Sequence, residues 1–407
     1  MTDEQAMPPV PTPRRSSAAA LLDHAFATGP FTASEAIVAT GLTRSTVLAA
    51  CDELVRLGWI RELDDTRTAG EYQKGRPARR YALDEHAGHV LGVDVGQHRV
   101  TAVLATLRGT ITARCRRSLG EAGEDPAARL RVTAETVDAV LADASVDPER
   151  IFVTAIGVPA PVDAAGRSPV GDDGYWAHMN PGFPDALRSH GVVLVENDAN
   201  LAAVAERSIG HGAGASSFAA LLSGERFGAG LIVDGALLRG AHGGAGEMRV
   251  LDLVGGAGST DGIAALARRW GIEAIRTTGV GRTTSLSAIG ADALTAADVL
   301  GAAAAGDRVA GRIVERLGDR LARVCLVLGS LLDIERVVVA GAIAEAAGPV
   351  IARARAILDA DHYAPVPEIV ASDLGADIVV VGAVARALDA VRTEPLAYAP
   401  AVVTVGV

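Results

Sequence analysis

The chain has little cysteine and no long apolar run, and each absence narrows the class of protein. Cys51, Cys115 and Cys325 are far apart and do not have the spacing of metal ligands. We therefore expect three reduced thiols that pack as small hydrophobic side chains. No apolar run reaches the roughly 20 residues that a membrane-spanning helix needs. Residues 1–15 are polar and proline-rich without an apolar leader, so we expect a disordered tail and a cytoplasmic protein.

The chain also lacks an excess of basic residues. Its formal net charge of -11 excludes a protein that is basic over its whole surface, but not one that binds DNA through a local patch. A length of 407 residues predicts two or three folded units, and about half of the residues are apolar, which is enough to bury a sizeable core. Basic charge is concentrated in residues 66–82, which hold Arg67, Lys74, Arg76, Arg79 and Arg80 against the lone acid Glu71.

Helix signals near the N-terminus predict a helix-turn-helix. Residues 16–27 place apolar side chains at helical spacing, which predicts a first helix. Thr32 and Glu35 form a capping box for a short second helix, and Gly41 suits the left-handed residue at its end. A third helix is predicted from about Arg44 to Leu57.

The two faces of the third helix have different composition. Near its N-terminus, Arg44, Ser45 and Thr46 are expected to face outward. In a helix-turn-helix, these early residues meet base edges in the major groove, so they are our candidates for recognising DNA sequence. The residues expected to face inward are Val47, Cys51, Leu54 and Val55.

Two short strands around a basic loop, residues 59–63 and 81–83, predict a wing. We expect Lys74, Arg76 and Arg79 to bind DNA, chiefly at phosphates. Arg76 lies in an extended Gly-Arg-Pro step that is narrow enough for a minor groove. A generic helical domain with a solvated charged loop is the structural alternative. The capping box, the glycine turn, the strand pair and the basic loop together favour a winged helix-turn-helix domain over residues 16–85.

From residue 88 onward, the alternation of strands and helices is typical of two α/β lobes with a cleft between them. We assign the first lobe to about 88–198 together with the last helix, and the second lobe to about 199–379. The predicted helices cover about 126–144, 263–270, 308–332, 343–358 and 380–392.

One short run carries most of the polar chemistry. Val195-Glu-Asn-Asp-Ala-Asn200 places carboxylates and two amides at the end of an apolar strand, where a helix begins. Such a cluster can hold a polyhydroxylated ligand, with Asp198 placed to accept a proton from a hydroxyl. The structural alternative for Asn197 and Asn200 is helix capping.

Five motifs, in this order and at this spacing, resemble those of the ROK family (repressor, open reading frame, kinase). The resemblance covers nearly the whole chain, and the wing resembles the regulators of the family rather than its kinases. It implies the fold class: α/β, with a winged helix-turn-helix followed by a two-lobed, actin-like and ribonuclease H-like sugar kinase body. The motifs are Gly92-Val-Asp-Val-Gly96, Gly157-Val-Pro-Ala-Pro-Val-Asp163, Asn180-Pro-Gly-Phe183, Glu196-Asn-Asp-Ala-Asn200 and Gly240-Ala-His-Gly-Gly-Ala-Gly-Glu247.

The resemblance also implies the roles of the site residues. The aspartate that acts as the base toward a sugar hydroxyl in the family corresponds to Asp198. Asn180 and Asn197 match positions that bond sugar hydroxyls, and Glu247 matches the glutamate that contacts the sugar from the other lobe.

The phosphate loops of the family's kinases are altered. Asp94-Val-Gly96 is followed by Gln97-His98-Arg99, where the kinases have Gly-Thr-Lys to cradle phosphate. In the second loop, we expect Glu225 to repel ATP phosphates and Phe227 to obstruct the close approach of the backbone. Asp198 is therefore interpreted as a vestigial base position, and we predict no catalytic residue.

The family's zinc loop is also altered. Val250 stands where the family has a histidine ligand, and residues 251–261 contain no cysteine. We predict no metal and no cofactor. Either local packing replaces the metal, or the choice of ligand has changed.

These features predict a non-enzymatic DNA-binding regulator of carbohydrate-related genes, a repressor that binds operator DNA and a sugar or sugar derivative. We expect a homodimer or a higher homo-oligomer, with no membrane partner. Two alternatives remain open. One is an ATP-dependent sugar kinase with an appended DNA-binding head, which Asp198 supports and the phosphate loops oppose. The other is a regulator that has lost its ligand, which the missing zinc site favours and the retained polar cluster opposes.

Overall fold

The computed structural model describes residues 16–63, 79–120, 123, 125–171, 174–255, 258–277, 284–360 and 366–398. The predicted disordered tail and the wing residues Lys74 and Arg76 lie outside the described residues. The chain divides into two compact units, the first within Met1–His89, Thr106–Arg108 and Asp389–Val407, and the second within Val90–Ala105 and Gly109–Leu388.

The described residues between 16 and 83 form three helices and a small antiparallel sheet, and this order confirms the predicted winged helix-turn-helix arrangement. The strands lie in the order β1-β3-β2, so the two strands predicted to flank the wing pair with each other. The elements are α1 (Ser17–Ala27), β1 (Phe31–Thr32), α2 (Ala33–Thr40), α3 (Arg44–Arg56), β2 (Ile60–Leu63) and β3 (Arg80–Leu83).

The turn between α2 and α3 follows from local capping. The Thr32 Oγ1 accepts from the Glu35 backbone N–H at 3.3 Å, and the Thr32 N–H donates to the Glu35 carboxylate at 2.6 Å, which confirms the capping box. Gly41 ends α2 with a φ of 68°, a left-handed conformation that costs glycine little. Thr43 then caps α3 by accepting from the Thr46 N–H at 3.3 Å.

One prediction for α3 is wrong. Val55 is 38% exposed and does not belong to the inward face. The buried stripe contains Ala50 instead, together with Val47, Cys51 and Leu54. These positions follow the i, i+3, i+4, i+7 pattern, whereas Val55 lies about 100° around the helix from Leu54.

The second unit contains two five-stranded mixed sheets, which confirm the two α/β lobes. The first-lobe sheet has the order β6-β5-β4-β7-β8, and the second-lobe sheet has the order β11-β10-β9-β12-β13. The strands are β4 (His89–Val95), β5 (Arg99–Thr106), β6 (Ile111–Ser118), β7 (Ile151–Val158), β8 (Val192–Asn197), β9 (Phe218–Ser223), β10 (Phe227–Val233), β11 (Ala236–Leu237), β12 (Arg336–Ala340) and β13 (Glu368–Ala371).

Helices flank the two sheets. The predicted helix at 343–358 begins only at Gly348, because Pro349 suits the first turn of a helix but not its interior. The helices are α4 (Pro126–Ala144), α5 (Tyr175–Met179), α6 (Phe183–Ala186), α7 (Asp198–Ile209), α8 (Ile263–Arg276), α9 (Ala296–Ala304), α10 (Arg308–Leu332), α11 (Gly348–Ala360) and α12 (Ile378–Thr393).

Helix α12 lies against the first-lobe sheet at very close range. A Cβ at Gly92 would lie 2.7 Å from the Val384 Cγ2 and 2.8 Å from the Val380 carbonyl oxygen, so only glycine fits this position of β4. Of the helices in the described part of the chain, none combines the length and the apolar character that crossing a membrane would require.

The three cysteines are free thiols. Cys51 and Cys325 are buried and Cys115 is half-buried. Burial raises the pKa of Cys51 to about 11 and raises the pKa of Cys325 further above its ordinary range. These two thiols therefore pack as small apolar groups and are poor nucleophiles.

Candidate functional site

The end of β8 carries the polar cluster into the start of α7. Strand β8 pairs in parallel with β7, and the register Val158↔Asn197 ends the ladder. Asn197 then caps α7: its Oδ1 accepts from the Asn200 N–H at 3.0 Å, and its Nδ2 donates to the Ala160 carbonyl at 3.1 Å. Both ends of the Asn197 amide thus have protein partners. The bond to Asn200 is the helix cap that the sequence offered as the alternative to a ligand-binding role. Asn200 is not a cap.

Asp198 lies at the centre of an acidic cluster that spans the two lobes. Its half-buried carboxylate accepts from the Ala199 N–H at 2.8 Å. Burial raises the pKa of Asp198 to about 7, and the nearby charges of Asp94 and Glu247 raise it too. Burial also raises the pKa of Asp94 to about 6, against the opposing effect of Arg99 and Arg116. Asp198 is therefore able to hold or release a proton near neutral pH.

Glu247 reaches the cluster from the second lobe on a glycine-rich loop. Burial raises its pKa, and the positive charge of Arg226 opposes this. The Glu247 backbone pairs with Gly228 of β10 in a single antiparallel β-bridge, and the preceding Gly246 has a φ of 85°. A Cβ at Gly246 would overlap the Ala229 carbonyl oxygen, so the loop can approach β10 only with glycine there.

An ion pair between the lobes lies beside Asp198 and Glu247, and sequence reasoning missed it. Glu196 is 5% exposed; its Oε2 accepts from the Arg239 Nε at 2.8 Å, and its Oε1 accepts from the Asn200 Nδ2 at 2.9 Å. The Ala245 N–H donates to the Arg239 carbonyl at 3.1 Å. Arg239 therefore connects the end of β8 to the loop that carries Glu247.

Asn180, the fourth predicted ligand-binding residue, follows α5. Its Nδ2 donates to the Gly166 carbonyl and to the Ser168 Oγ, both at 3.0 Å. Its Oδ1 is buried and has no partner in the described part of the chain. A buried acceptor without a donor is costly, and a ligand hydroxyl would satisfy it.

A fully buried arginine lies beneath the first phosphate loop. The Arg129 Nη2 donates to the Val95 carbonyl at 2.9 Å and to the Gly96 carbonyl at 3.0 Å. Its Nε and Nη1 have no hydrogen-bond partner among the residues that the structure describes. Burial lowers the pKa of Arg129 to about 10, which still leaves it charged near neutral pH. Nothing in the motif predicted this cation.

The second phosphate loop differs from what the sequence led us to expect. Glu225 forms an ion pair with Arg268 at 2.9 Å, so its charge is compensated and does not act alone. Phe227 is 4% exposed and packs into the core of the second lobe, with the Arg320 guanidinium 5.0 Å from its ring centroid. Its side chain therefore does not obstruct the loop.

The residues at the family's zinc position do not fit zinc. Val250 is 43% exposed where the family has a histidine, while Met248 and Leu251 are buried in the second-lobe core. Among the described residues, no group of three or more His, Cys, Asp or Glu side chains is placed to hold a metal ion.

The predicted DNA-binding residues lie at two places in the first unit. Arg44 and Ser45 are exposed at the start of α3, and Thr46 is half-exposed with its hydroxyl 2.8 Å from the Thr43 Oγ1. Arg79 makes exposed ion pairs with Glu62 at 3.4 Å and with Asp52 at 3.8 Å.

Comparison with known proteins supports the resemblance that the motifs carry. A xylose repressor from Caldicellulosiruptor bescii is 26% identical over 208 residues, which are 51% of this chain and 51% of that protein. A glucokinase from Halalkalibacterium halodurans is 34% identical over 164 residues, which are 38% of this chain and 50% of that protein. The chain spans about half the length of these curated relatives.

One solved structure shows how far the fold extends. The crystal structure of a ROK family transcriptional regulator, a homolog of the E. coli MLC protein, superposes with a TM-score of 0.71 at 20% identity, over 92% of this chain and 96% of that one. This likeness shows the fold alone. The family model described as "ROK family" matches residues 90–390. Because this match covers more than half of the sequence, the chain belongs to the ROK family.

Proposed function

We propose that this chain is a transcriptional repressor of carbohydrate-related genes that binds operator DNA and is controlled by a sugar or sugar derivative. The observation that carries the proposal is the presence, in one chain, of a winged helix-turn-helix with an exposed Arg44–Thr46 edge and of a polar cluster at a kinase-like cleft. The xylose repressors among its relatives support the same function.

The ligand lies between the two lobes. Asp198 accepts from one sugar hydroxyl, Glu247 contacts the sugar from the second lobe, and the unpartnered Asn180 Oδ1 accepts from another hydroxyl. Asn197 holds the end of β8 in place and offers its remaining amide hydrogen. A ligand that binds the closed lobes more tightly than the open ones shifts the population toward closure.

The response needs two DNA-binding units. We propose a cytoplasmic homodimer that binds two half-sites at a set separation, and in which closure of the lobes changes the spacing of the units. Sugar binding and operator binding then oppose each other, and each ligand weakens the other by the same factor.

A sugar kinase is the second candidate function, because Asp198 is poised near neutral pH and a glucokinase is among the relatives. The replaced Gly-Thr-Lys step after Gly96 opposes it. Release of ADP with a panel of hexoses tests this function. Turnover that is lost in Asp198→Asn would establish a kinase, and equal background rates in both proteins would exclude one.

Fluorescence anisotropy of the full chain on DNA from upstream of its own gene and its neighbours tests the regulator. Titrations are run at fixed salt, since salt alone changes the affinity for DNA by orders of magnitude. Tight binding to one fragment that a sugar weakens supports the proposal. Specific binding that no sugar alters would instead establish a ligand-independent regulator, and the absence of specific binding would contradict both.

A further inference from the structure

We propose that an arginine-lined cleft next to the acidic cluster binds an anionic group, so that the ligand of this protein is a sugar bearing a phosphate or a carboxylate. The inference rests on the proposed sensing function and names the chemical class of its ligand. The cleft lies within the second unit and joins its two lobes.

The cleft has the size of a small-molecule site. Its volume is about 450 Å³, within the usual range for such sites. Gln97 and Tyr175 line it from the first lobe, and the β9–β10 turn and α8 line it from the second lobe. Three of the lining side chains are guanidinium groups, those of Arg226, Arg268 and Arg269.

Ion pairs orient two of these arginines without using all their donors. Arg268 pairs with Glu225 at 2.9 Å, and Arg269 pairs with Asp261 at 2.8 Å. A guanidinium has five N–H donors in a fixed fork, so each retains donors for a second acceptor. Arg226 is exposed and forms no ion pair within the described part of the chain. Among the described residues that line the cleft, the three arginines exceed the two acids, Glu225 and Asp261.

Two buried arginines add to this positive charge. Arg129 interacts electrostatically with Tyr175, which lines the cleft, and it has two unpartnered nitrogen atoms. Arg320, which is 5% exposed, interacts with Asp261 and Arg269 and has an unpartnered Nε. Charges in low-dielectric walls act strongly on an anion in a narrow cleft. Helices α4 and α10 therefore both place cations behind the lining.

The anion site adjoins the sugar site. Arg226 acts electrostatically on Glu247, and the bridge between Gly228 and Glu247 lies two residues beyond it. One ligand can thus place its hydroxyls at Asp198 and Glu247 and its anionic group at Arg226 and Arg268. Arginine forks match both phosphate and carboxylate oxygens, so the chemistry shared by these two groups defines the class.

Isothermal titration calorimetry of the full-length protein tests the inference. Each neutral pentose and hexose of a panel is compared with its phosphate and its uronic acid, with inorganic phosphate and ATP as separate arms. We expect one anionic sugar to bind at least about tenfold more tightly than its neutral parent, which is about 1.4 kcal/mol. Comparison of the phosphate and uronic acid arms identifies the anionic group.

Variants separate the cleft from a general charge effect. Arg226→Ala is expected to weaken binding of the anionic sugar more than binding of its neutral parent, and so to remove the preference between them. Arg276→Ala, which removes an exposed arginine of the same helix α8 outside the cleft, is the matched control and should keep the preference. Neutral sugars that bind as tightly as their anionic derivatives, or an equal loss in both variants, would overturn the inference.

Operator binding distinguishes this inference from the function on which it rests. If the anionic preference is absent while a neutral sugar still releases operator DNA, the inference fails and the repressor function stands. If no fragment of DNA is bound specifically, the proposed function itself fails. ATP that binds more tightly than every sugar phosphate would assign the cleft to a nucleotide and overturn the inference.

Discussion

The Arg239 guanidinium binds the buried Glu196 carboxylate at 2.8 Å. This ion pair connects two segments: the second-lobe loop that carries Glu247, and the first-lobe strand that leads to Asp198. The two residues are 43 positions apart, and nothing in the sequence indicated that they pair. The pair is a contact between the segments that carry the two acids. We expect it to connect closure of the lobes with the shape of the proposed sugar site.

Loss of the Arg239 side chain should weaken both folding and ligand binding. Arg239→Ala leaves the Glu196 carboxylate buried without its cation, which is expected to lower the free energy of unfolding by about 2–4 kcal/mol. Sugar affinity should fall at least about tenfold, since the Glu247 loop loses its anchor. Chemical denaturation and calorimetry measure the two effects. Arg188→Ala, at an exposed position of the first lobe, is the control, and equal behaviour of the two variants would contradict the role of the pair.

Two leucines test whether packing has replaced the zinc site. Leu251 is fully buried in the second-lobe core, while Leu253 in the same segment is 87% exposed. Leu251→Ala should lower the free energy of unfolding by about 2–5 kcal/mol, because it leaves a cavity. Leu253→Ala should change it by less than about 0.5 kcal/mol. A chelator that lowers the melting temperature of the wild-type protein would show that a metal still contributes.

Sugar affinity should depend on pH through Asp198. Burial raises its pKa to about 7, so the carboxyl is protonated below neutral pH and ionises above it. A sugar hydroxyl that donates to this group stabilises the ionised form, so affinity should rise between about pH 6 and pH 8. In the absence of ligand, the folded state keeps a proton on Asp198 that the unfolded state loses near pH 4, so the melting temperature should fall from about pH 4 to about pH 7 and level off above it. Asp198→Asn should flatten both profiles, and an affinity that falls as the pH rises would exclude the hydrogen bond.

Arg44 should contribute to DNA recognition more than Arg56 does. Both are exposed on α3, but Arg44 is at the N-terminal end that meets base edges and Arg56 is at the other end. Arg44→Ala is expected to cost about 1–3 kcal/mol on the preferred operator and less on mismatched DNA. Anisotropy on matched and mutated fragments measures this difference. If both variants lose affinity equally on every fragment, Arg44 contacts only phosphate.

Local patterns predicted the elements that they control. The Thr32–Glu35 capping box and the φ of 68° at Gly41 depend on neighbours within a few residues, so the second helix and the turn after it could be predicted. The parallel register of β7 and β8 places Asp198 where its motif indicates. Helix α9 was not predicted, although its Thr295–Asp298 capping box is also a local signal.

Contacts between distant residues were the part that could not be predicted. The charge of Glu225 appeared to oppose an anion because its partner Arg268 is 43 residues away and belongs to a different element. The charge of Arg129 is placed beneath Gly96 by the packing of α4 on the sheet, which no motif records. The cleft beside the acidic cluster therefore has, among its described lining residues, three arginines against two acids.

We propose that ligand and operator bind the same protein at different sites and that each weakens the binding of the other. The most direct test is the dissociation constant for the operator measured by anisotropy at fixed salt, with and without saturating ligand, in the wild-type protein and in Asp198→Asn. We predict that ligand raises this constant at least about tenfold in the wild type, which is a coupling free energy of about 1.4 kcal/mol, and leaves it unchanged in the variant. Equal operator affinity in the presence and absence of a ligand shown to bind would contradict the account.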